Sequence, residues 1–152
     1  MDYVKQQDGK VAKVTYKPEH HGVLTCMVQI NFGDGDTQTF GGLILDEKTG
    51  PQFVAELCAA FGVETYEQVV GLRCTALYLF PGWNERISAL RGPRGVFDLH
   101  AWRQKMHPGL PSAVEERRLQ MVSEVQRVEA SLREKREELM AFEREHFLEK
   151  AG

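Results

Sequence analysis

Nucleophilic catalysis needs a serine, cysteine or threonine beside a base that a third group orients. The four serines are Ser88, Ser112, Ser123 and Ser131, and none stands in a GxSxG turn. His21 and Cys26 are the closest histidine and cysteine, but their odd separation puts them on opposite faces of a continuous strand unless the chain bends at Gly22. His20, His21, Asp34 and Asp36 carry the donor types of a metal site, although Asp34 and Asp36 are equally explained as hairpin-turn residues. The glycines from Gly33 to Gly42 lack the lysine of a GxxxxGK[ST] loop, and no GxGxxG follows a strand. Cys26, Cys58 and Cys74 form no CxxC pair and lie in apolar segments, which reads as inert buried thiols. The expectation is therefore a non-catalytic chain with no cofactor and no metal.

Charge and aromatic residues point to binding instead. Residues 86–107 carry Arg86, Arg91, Arg94, Arg103 and Lys105 against Asp98 alone, with Trp83, Phe97, His100, Trp102 and His107 interleaved or adjacent. Cations for the backbone and rings for base stacking are what single-stranded nucleic acid requires. The candidate contact set is Trp83, Arg86, Arg91, Arg94, Trp102 and Arg103. The competing explanation is that Phe97 and Trp102 pack a short helix onto a sheet while the arginines solvate its rim. A second stretch, residues 34–67, holds seven carboxylates and only Lys48, so a dipolar surface suited to protein docking is also expected.

The elements that would position these residues follow from periodicity. Residues 11–17 alternate with Ala12, Val14 and Tyr16 on one side. Leu24, Cys26, Val28, Ile30 and Phe32 form an unbroken apolar face, while Thr25, Gln29 and Asn31 point the other way. Gly33-Asp34-Gly35-Asp36 is hairpin chemistry, and residues 37–45 return as a strand with a bulge or close backbone approach at Gly41-Gly42. Phe53, Val54, Leu57, Cys58 and Phe61 share a helical face that Gly62 ends. Thr65-Tyr66-Glu67-Gln68 is a capping box opening a short helix to Gly71. Residues 72–80 resume the strand pattern, Phe80-Pro81-Gly82-Trp83 suits a type II turn, and a strand through Ile87 and Leu90 completes a hairpin. Asp98 caps a helix through Met106. This order predicts an α+β fold with a small antiparallel sheet, able to curl like a barrel, over residues 1–95. A short helix and linker follow over 96–111, and a long C-terminal helix over 112–152.

That last helix opens on a capping box, Ser112 with Glu115, and meets no proline or glycine before Gly152, so it would reach on the order of 55 Å. Val114, Met121, Val125, Val128, Leu132, Leu139 and Phe142 recur four and three residues apart, the seam of a coiled coil. Arg118, Lys135 and His146 interrupt it. Parallel in-register pairing would oppose Glu124 to Glu129 and Glu138 to Glu143. Antiparallel pairing could bring Arg117 near Glu138 or Glu145, and Arg136 near Glu115 or Glu129. An antiparallel homodimer or a protein partner through residues 112–150 is expected, against the alternative of a charged helix packed on its own globule.

Of the 152 residues, 42% are hydrophobic and 27% charged, ordinary for a globular chain. The net charge of −3 divides as −1 over residues 1–111 and −2 over 112–152, unlike a dedicated duplex-DNA binder. No apolar run approaches the roughly 20 residues of a membrane span, and the first ten residues lack signal-peptide character. A cytoplasmic location is expected.

His20-His21-Gly22-Val23-Leu24-Thr25, Phe40-Gly41-Gly42-Leu43-Ile44-Leu45-Asp46, Phe61-Gly62-Val63 and Val70-Gly71-Leu72-Arg73-Cys74 together resemble a family of small uncharacterised bacteriophage proteins over about residues 10–91. These motifs are strand, turn and helix-end residues, so the resemblance implies a shared fold and no known activity; the cytoplasm expected is that of a bacterial host. The layout is also distantly similar to phage single-strand-binding proteins of the barrel type, in which a helix interrupts the sheet before a V-G-x-R-C strand. The function expected is a non-catalytic phage accessory protein engaging single-stranded nucleic acid or its processing machinery. The alternative is a protein-directed inhibitor of a bacterial defence complex, anti-CRISPR-like, docking through the acidic surface or the C-terminal helix.

Overall fold

In the computed structural model, which describes residues 2–18, 24–46, 48–80 and 85–148, the apolar alternation from Leu24 to Phe32 forms strand β2 (Leu24–Gly33). Cys26, Val28 and Ile30 are fully buried while Gln29 and Asn31 are exposed, the pattern of a sheet with one wet face. Thr25 lies on the outer face as expected, yet is itself buried. Asp34 and Gly35, at φ 50° and 78°, turn the chain into β3 (Asp36–Leu45). Positive φ at both central residues is what a two-residue type I′ loop demands.

Strand β1 (Lys5–Pro18) starts at Lys5 rather than near residue 11. It pairs with β2 on one edge and with β4 (Arg73–Tyr78) on the other. A bulge between Val11 and Lys13 leaves Ala12 exposed, so Val11 replaces Ala12 as the inward residue alongside Val14 and Tyr16. Two short strands, β5 (Ala89–Arg91) and β6 (Val96–Asp98), complete an antiparallel sheet of order β3-β2-β1-β4-β5-β6. Ile87 is buried but precedes β5, and β6 is an addition to the expected order. Because β3 and β6 are both edges, the sheet is open and does not close into a barrel. Brevity blunts one edge and the Gly42 bulge the other.

Helix α1 (Thr49–Phe61) lays Phe53, Leu57, Cys58 and Phe61 on the inner face of the sheet. It ends at Gly62, φ 70°, where the Val63 N–H donates to the Cys58 carbonyl at 3.1 Å. The Gln68 side chain accepts from the Thr65 N–H at 3.1 Å, but this box opens only a single 3-10 turn, Tyr66–Val69, rather than a helix to Gly71. Asp98 caps α2 (Leu99–Met106) by accepting from the Ala101 N–H at 2.9 Å. The turn read at Phe80-Pro81-Gly82-Trp83 lies mostly outside the described residues.

The chain divides into two compact units, residues 1–110 and 111–152. Strand β6 and helix α2 belong to the first, so the short helix expected within residues 96–111 is part of that unit. In the second unit, Ser112 Oγ accepts from the Glu115 N–H at 3.2 Å and the Glu115 carboxylate accepts from the Ser112 N–H at 2.9 Å, capping α3 (Ala113–Glu143). The α-helix is 31 residues, about 46 Å at 1.5 Å per residue, and continues as a π-helical turn, Arg144–Leu148.

Gly41 (φ 88°) is where β3 admits α1, since a Cβ there would lie 2.6 Å from the Cys26 carbonyl oxygen and 3.1 Å from Phe53 Cζ. A side chain at this φ is strained whatever the space. Gly41→Ala is therefore expected to destabilise the chain by about 1–3 kcal/mol, read as a lower urea midpoint with an unchanged slope. An unaltered midpoint would remove this account of the bulge.

Candidate functional site

The described residues among those expected to bind nucleic acid do not share one exposed surface. Trp102 is the clearest departure. Only 4% exposed, its ring stands edge-on to Phe53 and Phe97 at centroid distances of 5.6 and 6.1 Å, and Phe40 joins the same cluster 5.5 Å from Phe97. The inner face of the sheet needs this aromatic volume, and edge-to-face pairs add about 0.5–1.5 kcal/mol each beyond burial. No face of Trp102 is left for a base to stack on. Its Nε1 is buried without a hydrogen-bond partner among the described residues.

Arg94 donates its backbone N–H to Ala60 O at 3.0 Å and lays its side chain across Gly62, where an added Cβ would lie 2.5 Å from Arg94 Cγ. A cation at the C-terminus of α1 is favourable there on structural grounds alone. Arg103 is half-buried on α2, and Arg86 is exposed ahead of β5. Trp83 lies outside the described residues, as do His20 and His21. Asp34 and Asp36 sit at the β2–β3 hairpin, with Asp36 accepting from Gln7 Nε2 at 3.4 Å. Among the described residues, no group of three or more His, Cys, Asp or Glu could hold a metal ion. The acidic stretch is also dispersed. Asp46 accepts from the Lys48 and Thr49 N–H groups and the Thr49 hydroxyl at the start of α1, and these bonds, those from Thr49 foremost, lower its pKa. Glu56 faces Lys105 at 3.7 Å.

Arg91 leads to a surface that local sequence reading misses. Residues directly opposite in an antiparallel pair share a face. The core pairs Cys74, Ala76 and Tyr78 with Gly9, Gln7 and Lys5, so Lys10, Arg73 and Arg91 must project outward. The bulge at Ala12 keeps Lys13 and Lys17 on that outer side. All five cations are exposed, and Lys10 stands directly across from Arg73. Asp8 is the nearby carboxylate on this face, and it accepts from the Thr75 hydroxyl at 2.6 Å. Arg91 Nη1 donates to Gln6 Oε1 at 3.2 Å. Among the described residues none of the five cations forms an ion pair. Thr15, Gln29, Asn31, Thr37 and Thr39 add neutral polar groups to the same face, beside the apolar Met27 and Val96. The end near Tyr3 is closed, with Leu77 and Ala89 buried and the Tyr3 hydroxyl donating to Asp98 at 2.5 Å. The pairing that creates the basic stripe joins residues about 63–73 apart in sequence, β1 to β4, so no local window contains it.

In the second unit, Val114, Met121, Val125, Val128, Leu132, Leu139 and Phe142 are each 52–59% exposed. Comparison with known proteins returned no matching family, no matching curated protein and no matching solved structure.

Burial shifts several buried thiols and phenols. It raises the Cys26 and Cys74 thiols from 9.0 to about 11 and the Tyr78 hydroxyl from 10.0 to about 12. Tyr66, whose hydroxyl donates to Met27 O at 3.0 Å, is also raised, chiefly by burial. Raised values in the folded chain mean that the unfolded chain releases these protons first as pH climbs. The urea midpoint should thus not respond to these groups below pH 9.0, and should fall from there to about 12. A midpoint that rises over this window would contradict the burial of these groups.

Proposed function

We propose that this chain is a non-catalytic accessory protein whose first unit engages the phosphate backbone of single-stranded nucleic acid on the outer face of its sheet. The observation that carries the reading is the cationic stripe of Lys10, Lys13, Lys17, Arg73 and Arg91, exposed and without ion-paired carboxylates among the described residues. Placing Lys10 against Arg73 costs sheet stability, since like charges directly opposite repel. A polyanion offsets that cost.

The geometry favours one strand over two. Lys10, Lys13 and Lys17 follow one another along β1, and at about 3.3 Å per residue they span on the order of 20 Å. A single row of cations tracks a single row of phosphates. Exposed aromatic side chains are absent from this face among the described residues, so binding would be insensitive to base identity and rest on charge and hydrogen bonds from neighbouring threonine and asparagine side chains.

Fluorescence anisotropy of a labelled oligothymidylate tests this. Five phosphate contacts correspond to a slope of log K against log salt near about −3.5, at roughly 0.7 per phosphate. Lys13→Gln is expected to lessen the slope by about 0.7 and weaken binding at low salt. Arg86→Gln and Arg94→Gln should change it little. Absence of binding at low salt, tighter binding of duplex than of single strand, or loss of binding through Arg86 and Arg94 rather than Lys13 would each overturn the proposal.

A further inference from the structure

Helix α3 exposes more apolar surface than a solitary helix gains from, with seven seam side chains each 52–59% exposed along a 31-residue element. We infer that α3 pairs antiparallel with α3 of a second copy of this chain, in the one register that sets Val125 opposite the partner's Val128. This goes beyond nucleic-acid binding and does not depend on it.

The occupant and the register both follow from the flanking charges. Parallel pairing in register brings Glu124 against the partner's Glu129 and Glu138 against the partner's Glu143, and both contacts repel. In the antiparallel arrangement core position a faces d, and the outer positions face their own kind. Arg117 can then meet the partner's Glu138 and Arg136 the partner's Glu115, and a single register satisfies both together. That register also stacks Val125 on the partner's Val128, Met121 on the partner's Leu132 and Val114 on the partner's Leu139. Two-fold symmetry repeats each layer, giving six apolar layers over roughly 40 Å of helix. Sliding by one heptad sets Glu124 against the partner's Glu138 in one direction and against the partner's Glu124 in the other, so the neighbouring registers are repulsive.

Two layers are cationic. Arg118 faces the partner's Lys135, and symmetry repeats it. Each charge already has a carboxylate on its own helix: Lys135 Nζ lies 2.7 Å from Glu138 Oε2, and Arg118 lies near enough to Glu115 to act electrostatically on its carboxylate. Their long stems can cover the neighbouring apolar layers while the charged heads reach solvent. These two layers weaken the pair and exclude any shift that would bury them centrally.

Cysteine cross-linking of the full chain tests orientation and register together. The native thiols are 0%, 7% and 5% exposed and stay silent. Val125→Cys and Val128→Cys are prepared separately and kept reduced, and each is oxidised alone and, in a parallel sample, after mixing with the other. Antiparallel pairing in the stated register gives a cross-linked dimer efficiently in the mixture and little from either variant alone. Efficient self-cross-linking of each variant alone would mean parallel pairing and overturn the inference. Light scattering is the second arm, with a dimeric mass expected for the unmodified chain and a monomeric mass for Leu132→Glu, whose solvent-exposed site leaves the first unit folded. A monomeric mass for the unmodified chain at every concentration overturns self-pairing, and leaves a different protein as the occupant of the seam.

Discussion

The first unit depends on the approach of Phe53 to the sheet at Gly41. Four aromatic rings from distant points of the chain, Phe40 on β3, Phe53 on α1, Phe97 on β6 and Trp102 on α2, meet within 5.0–6.1 Å of their neighbours. That meeting is possible because β3 presents no Cβ at Gly41 and bulges at Gly42. Truncating such a ring typically costs about 3–5 kcal/mol, a large part of the stability of a domain this size. Packing the aromatics inward commits the helices to one face of the sheet. The opposite face is left free of α1 and α2, and the character of its exposed part is set by which residues alternate outward along β1 and β4.

Much of the architecture was legible locally. The alternation over Leu24–Phe32, the Asp34-Gly35 turn, the stripe of α1 with its Gly62 stop, and the Ser112–Glu115 cap all depend on neighbours within one turn or one hairpin, and each is present. What escaped was non-local. Strand β6 is three residues long and owes its existence to β5 beside it. Ala12 fell on the wrong side because a bulge inserts one residue, and alternation cannot detect a change of phase within itself.

The candidate site was legible only in kind. A basic stretch with interleaved rings suggested one surface, but a tertiary fold distributes such a stretch between core and rim. Phe97 and Trp102 are both buried, and Arg94 lies on a helix end. Of the five described residues singled out, Arg91 alone joins the cationic stripe. The stripe takes its other members from β1 and β4, where lysines and arginine alternate with core residues and so look like ordinary strand solvation. Charge sign on an open sheet face becomes meaningful only once strand order and register are known.

The central pairing of β1 with β4 has a consequence for how the chain folds. Strands β1, β2 and β3 form a meander closed by short connections, and β4, β5 and β6 form another, so most hydrogen-bonded neighbours are close in sequence. Among the described residues, the strand pairing that joins them is the ladder from Lys5–Tyr78 to Lys10–Arg73. Closing that long loop is the entropically expensive step. During synthesis the first meander and α1 can assemble while the free edge of β1 waits for residues 73–78 to emerge. That interval, rather than the finished fold, is when the chain offers an unprotected strand edge to its neighbours.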